Sequence, residues 1–184
     1  MSKTVAVIVG SLRRDSFSKK TAAAIASLAP ADTKFELVPI ADLPLYNEDL
    51  ETDSPPAQWT EFRRRVKAAD AVLFVTPEYN RSVPGALKNA LDVGSRPYGQ
   101  SVFDGKPGAV VSTSVGALGG FGANHHLRQS LVFLNVLTLQ QPEAYVGNTG
   151  TLFDSEGRVT NEQTKDFLRT FAQAFDGWIE KHRS

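Results

Sequence analysis

Apolar residues in this chain fall into short unbroken runs, separated by stretches where they recur every three or four positions. Thr4–Val9 is apolar without alternation, which marks a strand covered on both faces. Ser18–Leu28 is alanine-rich at helical spacing, and Phe35–Pro39 predicts a second strand. Leu43–Pro56 reads as a long loop. Ala57–Ala69 predicts a helix with Trp59, Phe62 and Val66 on one stripe. A third strand over Ala71–Val75 is followed by a helix over Gly85–Val93, and a fourth over Gly108–Thr113 by a helix over Asn124–Leu134. Val136–Leu139 predicts the fifth strand, and Gly147–Gly157 is rich in turn residues. Asn161–Lys181 closes the pattern as a helix, with Phe167, Phe171, Phe175 and Trp178 forming its core stripe.

Strictly alternating strands and helices imply an α/β fold with a parallel sheet covered on both faces. For five strands the expected order is the flavodoxin-like 2-1-3-4-5, with residues 1–184 as a single domain. Strands 1, 3 and 4 are then neighbours. The loops after them (10–18, 76–84 and 114–122) would meet in one crevice at the switch point of the sheet.

Composition narrows the possible chemistry. Among 184 residues, 20 basic and 20 acidic side chains balance, with no block of one sign, which argues against nucleic acid or an anionic membrane as partner. Cysteine is absent, which excludes disulfides, thiolate nucleophiles and Cys-ligated zinc. No apolar stretch approaches the roughly 20 residues that span a bilayer, so the expected location is cytoplasmic. His125 and His126, adjacent on a helix, point to different faces and lack acidic partners at ligand spacing, so no metal is expected.

The three loops carry the chemistry instead. Gly10-Ser11-Leu12-Arg13-Arg14-Asp15-Ser16-Phe17-Ser18 leads from a strand into a helix, and offers hydroxyls, guanidiniums and helix N-terminal amides to a phosphate. It is neither a dinucleotide-binding G-x-G-x-x-G nor a P-loop. A second reading makes Ser16 or Ser18 a simple helix cap. Pro77-Glu78-Tyr79-Asn80 supplies a rigid turn, a ring and an amide suited to a flat polar ligand, and it reads equally as an ordinary turn. In Ser112-Thr113-Ser114-Val115-Gly116-Ala117-Leu118-Gly119-Gly120 the glycines let backbone approach a ligand, or simply make a flexible connection.

Taken together, these segments resemble the NADPH-dependent FMN reductase family, in its quinone and chromate reductase branch. The likeness runs through Gly10-Ser11-Leu12-Arg13 with Ser16, Asp42-Leu43-Pro44-Leu45-Tyr46, Thr76–Asn80, Ser82-Val83-Pro84-Gly85, Leu87-Lys88-Asn89, Leu91-Asp92 with Ser95-Arg96, Gly119-Gly120 and Leu127-Arg128-Gln129. It implies bound FMN, NADPH or NADH as electron donor, a small-molecule electron acceptor, and a homodimer that can pair into a homotetramer. By matching position, Ser11, Arg13, Ser16, Phe17 and Ser18 would hold the FMN phosphate. Pro77, Glu78, Tyr79 and Asn80 would line the isoalloxazine, mostly through backbone groups, and Ser114, with Gly116 and Gly119, would close the far side. The 43–50 segment would join the dimer interface. Gly122 and His125 stand where some relatives carry the Arg and Tyr that touch a second dimer. Val93-Gly94 replaces a common Trp-containing pair, with an expected change in the pocket beside the flavin.

The resemblance implies hydride transfer from nicotinamide to flavin, then onward to a quinone or similar acceptor, with the flavin carrying the hard chemistry. That accounts for a chain without a visible nucleophile or acid–base pair. The rival reading is a non-catalytic flavodoxin-like electron carrier, a class that surrounds its flavin with acidic charge, unlike the basic 10–18 loop here. A third has flavin itself as a released substrate.

Overall fold

The computed structural model describes residues 2–183. The runs of apolar residues form a parallel sheet of β1 (Lys3–Val9), β2 (Thr33–Leu37), β3 (Ala71–Pro77), β4 (Pro107–Thr113), β5 (Leu137–Thr138) and β6 (Ala144–Val146), in the order β2-β1-β3-β4-β5 with β6 also on β4. Five helices surround it: α1 (Phe17–Leu28), α2 (Ala57–Ala68), α3 (Gly85–Gly94), α4 (Phe121–Phe133) and α5 (Glu162–His182).

Each central strand serves both layers, which is why its sequence shows no alternation. Val5, Val7 and Val9 of β1 join Leu73, Val75 and Val111 beneath α1 and α5, against Ile25, Phe171 and Phe175. Ala6 and Ile8 turn the other way, with Phe74 and Val110, onto Trp59, Phe62, Leu87 and Leu127 of α2, α3 and α4. At about 25 cal/mol per Å² of apolar surface, these two layers supply the main driving force for folding.

The expected strand order is the observed one, with one correction at the edge. A single fifth strand over Val136–Leu139 was expected. Its place is shared by two short segments, β5 beside Pro107–Gly108 and β6 beside Val111–Thr113. Pro142 between them has no N–H to give the ladder. Side chains of α4 patch the gap: Arg128 donates to the Leu139 carbonyl at 3.0 Å, and Asn124 Nδ2 donates to the Ala144 carbonyl at 3.3 Å. β2 also begins two residues earlier than expected, at Thr33.

The long 43–56 connection is pinned rather than loose. Asn89 Oδ1 accepts from Tyr46 N at 2.8 Å, its Nδ2 donates to the Pro44 carbonyl at 3.0 Å, and Trp59 Nε1 donates to that same carbonyl at 3.0 Å. Val93 and Gly94 are core residues: a Cβ on Gly94 would lie 2.4 Å from the Phe103 ring. Both therefore belong to the packing of the α2–α3 layer.

Candidate cofactor site

Strand register sets the site. Val9 pairs with Val75, Pro77 with Thr113, and Thr113 with Val146, so the loops leaving β1, β3, β4 and β6 start at one end of the sheet. They enclose a cleft of about 150 Å³ lined by Ser11, Arg13, Ser16, Phe17 and Ser18, by Pro77, Glu78 and Tyr79, and by Thr113, Ser114, Val115 and Thr149. Of the twelve residues expected at a site, nine line it: Ser11, Arg13, Ser16, Phe17, Ser18, Pro77, Glu78, Tyr79 and Ser114. Asn80, Gly116 and Gly119 do not.

The first loop is built to receive an anion. Ser16 caps α1, its Oγ accepting from Lys19 N at 3.2 Å. No backbone N–H from Ser11 to Ser18 has an acceptor among the described residues. The start of α1 adds its positive dipole end to this row of donors. Arg13 is exposed and forms no ion pair among the described residues, so its guanidinium is available. Buried Ser18 Oγ lies 2.7 Å from Thr113 Oγ1; one hydroxyl donates to the other, which leaves a single O–H of the pair for a ligand. The ring of Phe17 is an anchor, stacked on Phe153 with centroids 6.1 Å apart and covered by Lys20 Nζ at 5.6 Å.

The second loop is a tight turn with Asn80 and Arg81 both in the left-handed region (φ 52° and 64°), closed by reciprocal 2.9 Å bonds between Tyr79 and Ser82. Asn80 thereby becomes a turn residue on the exposed side, which is why it leaves the cleft. Glu78 reaches across to α4, where its Oε2 accepts from Ala123 N at 3.0 Å. The N-cap of α4 is Gly120, which has no side chain to cap with, so a carboxylate from another loop does that work. His126 Nδ1 meets Ser82 Oγ at 2.9 Å and braces the same turn.

In the third loop, glycine serves the scaffold rather than the ligand. A Cβ on Gly119 (φ 60°) would come 2.6 Å from the Tyr145 carbonyl carbon, so this glycine lets the loop close onto β6. Gly116 donates to Ser114 Oγ at 3.1 Å and its carbonyl receives Asn148 N at 3.3 Å. Gly122 admits the Arg81 carbonyl, which a Cβ there would meet at 2.8 Å. His125 Nε2 lies 3.0 Å from Tyr145 OH, beside Phe121. Burial, then nearby Glu143, pushes the Tyr145 phenol up to about 12.

Thr113 and Val115 belong to the third loop but were not singled out there, and Thr149 lies outside the three loops altogether. The Thr149 hydroxyl is fully buried without a hydrogen-bond partner among the described residues. An orphaned hydroxyl, a row of free amides and an unpaired guanidinium in one cleft fit a phosphorylated, oxygen-rich ligand such as FMN. A larger hollow of about 610 Å³ lies between α1 and residues 154–160. Its charges are already matched, Arg158 to Asp154 at 2.8 Å and Lys165 to Glu162 at 2.6 Å, so it has no comparable donor set.

A flavodoxin-like sheet with an anion-receiving loop at its switch point defines a class of phosphate-ligand-binding α/β proteins. The family follows from comparison: residues 4–151 match the model of the NADPH-dependent FMN reductase family, and the chain belongs to that family. It is 56% identical over 181 residues to a quinone reductase of Pseudomonas putida, covering 98% of this chain and 97% of that one. It is 48% identical over 183 residues to a 2-hydroxy-1,4-benzoquinone reductase of Burkholderia sp, across the whole of both chains. Among solved structures, FerB, a flavoenzyme NAD(P)H:(acceptor) oxidoreductase from Paracoccus denitrificans, superposes with a TM-score of 0.93 at 44% identity, covering 99% of this chain and 100% of FerB.

Proposed function

We propose that this chain is an NAD(P)H-dependent FMN enzyme that reduces quinones, with the cleft at the ends of β1, β3 and β4 as its flavin site. The observation that carries this reading is the row of unpartnered amides from Ser11 to Ser18 beside the free Arg13 guanidinium. Bound there, FMN supplies the centre that takes a hydride from nicotinamide and passes reducing equivalents to the acceptor. The chain does the rest. Residues 11–18 hold the phosphate, and Ser11, Ser18 and Ser114 offer hydroxyls. Glu78 keeps the 77–82 turn against α4, and exposed Tyr79 forms the open rim where a flat ring stacks. A cleft of this size takes the phosphate-bearing tail and leaves one ring face open to both substrates in turn.

The test is direct. Protein freed of flavin should quench FMN fluorescence stoichiometrically, and the complex mixed anaerobically with NADPH should lose its flavin absorbance, then regain it on adding 1,4-benzoquinone. A protein that neither quenches FMN nor oxidises NADPH ends the proposal. Arg13→Ala should weaken FMN binding about 10- to 100-fold, the worth of one charge-assisted hydrogen bond to phosphate. The same assay with chromate, azo and nitro compounds, and with NADH against NADPH, ranks the remaining acceptors and donors.

We infer further that residues 1–184 act as one cytoplasmic unit that pairs as a homodimer. Val132 and Phe133 on α4 are each 79% exposed and Tyr98 is 87% exposed; Tyr98 and Phe133 line a common groove. Apolar exposure of that kind supports a protein-covered face. Phe133→Glu should halve the mass measured by light scattering; an unchanged mass removes this face from the interface.

A further inference from the structure

The turn after β6 adds a fourth wall to the cleft, and its central residue is placed with unusual care. Ser114 N donates to the Val146 carbonyl at 3.0 Å, Asn148 N to the Gly116 carbonyl at 3.3 Å, and Thr149 N to the Ser114 carbonyl at 3.1 Å. Gly147 lets the two strands of this stitch approach, since a Cβ there would lie 2.6 Å from the Ala117 carbonyl. Asn148 adopts a left-handed φ of 52°, a conformation more often taken by glycine, and so turns the chain into Thr149. The outcome is a fully buried threonine that lines the cleft, in a turn tied to residues 114 and 116 by backbone bonds.

Its Oγ1 has no hydrogen-bond partner among the described residues. Burying a hydroxyl without one costs its lost hydration, and a packed protein rarely tolerates that for nothing. Thr21 Oγ1 is the other such atom among the described residues, but it sits in the interior of α1 and does not line the cleft. Thr149 is different because a ligand in the cleft can supply the missing acceptor. Ser18 and Thr113, which also line the cleft, bond to each other, and neither comes within hydrogen-bond reach of the Thr149 hydroxyl.

We propose that Thr149 is a flavin-positioning residue whose hydroxyl donates a hydrogen bond to an oxygen of bound FMN. This rests on the reading of the cleft as a flavin site. It assigns a specific donor to a segment outside the three loops legible in the sequence. The bond also gives this buried hydroxyl the acceptor that the described residues do not provide.

The experiment compares wild type with Thr149→Val, which keeps shape and removes the hydroxyl, and Thr149→Ser, which keeps the hydroxyl. Flavin-free proteins are melted and then titrated with FMN and, separately, with riboflavin. The valine variant should melt at or above the wild-type temperature without ligand, because an unpaired hydroxyl has been removed. It should bind FMN about 5- to 20-fold more weakly, tenfold being about 1.4 kcal/mol. Serine should retain most of the affinity. A loss with FMN alone puts the bond on the phosphate, and a loss with both ligands puts it on the ribityl chain or ring; either supports the proposal. Equal FMN affinity of valine variant and wild type overturns it. Failure of wild type itself to bind FMN would instead overturn the assignment of the cleft.

Discussion

Glu78→Ala tests whether one side chain joins the flavin-facing turn to the helix layer. The Oε2–Ala123 N bond of 3.0 Å gives α4 its only side-chain cap among the described residues, because Gly120 at the N-cap position provides none. Loss of a cap costs about 0.5–2 kcal/mol, and loss of a negative charge at a helix N-terminus about 0.3–1 kcal/mol. One carboxylate performs both tasks here, so the two overlap, and about 1–2 kcal/mol is expected in all. For a chain of this size each kcal/mol moves the melting midpoint by about 2–4 °C, which predicts a drop of about 3–6 °C in the flavin-free protein. Glu78→Gln keeps an acceptor oxygen and loses the charge, so it should recover about half of that. Because the same carboxylate braces Tyr79, FMN binding should weaken about 5-fold alongside. The measurements are melting by circular dichroism and fluorescence titration with FMN. A Glu78→Ala melt within about 1 °C of wild type would show that the cap contributes nothing and refute the coupling.

Gly122→Ala and Gly177→Ala make a matched pair. Both lie in helices, but a Cβ at 122 meets the Arg81 carbonyl at 2.8 Å and Glu78 Oε2 at 2.9 Å, while nothing lies within 4 Å of one at 177. The first should cost about 1–3 kcal/mol and the second stabilise by about 0.5–1 kcal/mol, as read by urea denaturation. Lys3, 3% exposed, meets Asp32, Asp176 and Glu180 at 3.2, 2.7 and 3.0 Å and ties β1 to α5. Burial alone would depress its ammonium, but the three carboxylate bonds outweigh that and hold it well above the usual lysine range. A raised folded value means the contribution is complete below about pH 10.4 and fades above it. The Lys3 bond holds the Asp32 carboxyl below its usual range, so that part is present above about pH 4 and lost on acidification. Lys3→Met should lower stability by about 2–4 kcal/mol at pH 7 and flatten the alkaline fall in melting temperature; an unaltered alkaline limb would remove Lys3 as its cause. Asn89→Ala should free the 43–50 segment, read as faster proteolytic cleavage there, because one amide holds Tyr46 N and the Pro44 carbonyl.

What was legible in the sequence is what neighbouring residues decide among themselves. β1, β3 and β4 are seven residues each and carry unbroken apolar runs (Val5–Val9, Ala71–Val75 and Ala109–Val111), so the run announces a strand buried on both faces without knowledge of its partners. Three loops could be placed at one end of the sheet because strand alternation and crossover handedness leave few orders to choose from. The edge was not legible for the opposite reason. Ala144–Val146 is three residues long, too short for any period, and becomes a strand only because β4 offers an edge and Asn124 closes the gap. The same distinction divides the site. Ser16 as a cap and the free amides around it follow from local order. Glu78 acts on Ala123, 45 positions away, and Gly119 owes its identity to the backbone of Tyr145. Thr149 reads in sequence as one more turn residue, and only its stitching to residues 114–117 buries it. A glycine-rich or hydroxyl-rich loop is thus weak evidence of ligand contact by itself, since scaffold and ligand draw on the same small residues. What separates them is the count of partners. Gly119, Gly122 and Gly147 are already filled by neighbouring backbone, while the amides of 11–18 and the Thr149 hydroxyl have no partner among the described residues. In a folded chain, groups left unpaired in a cleft are the ones a ligand has yet to satisfy.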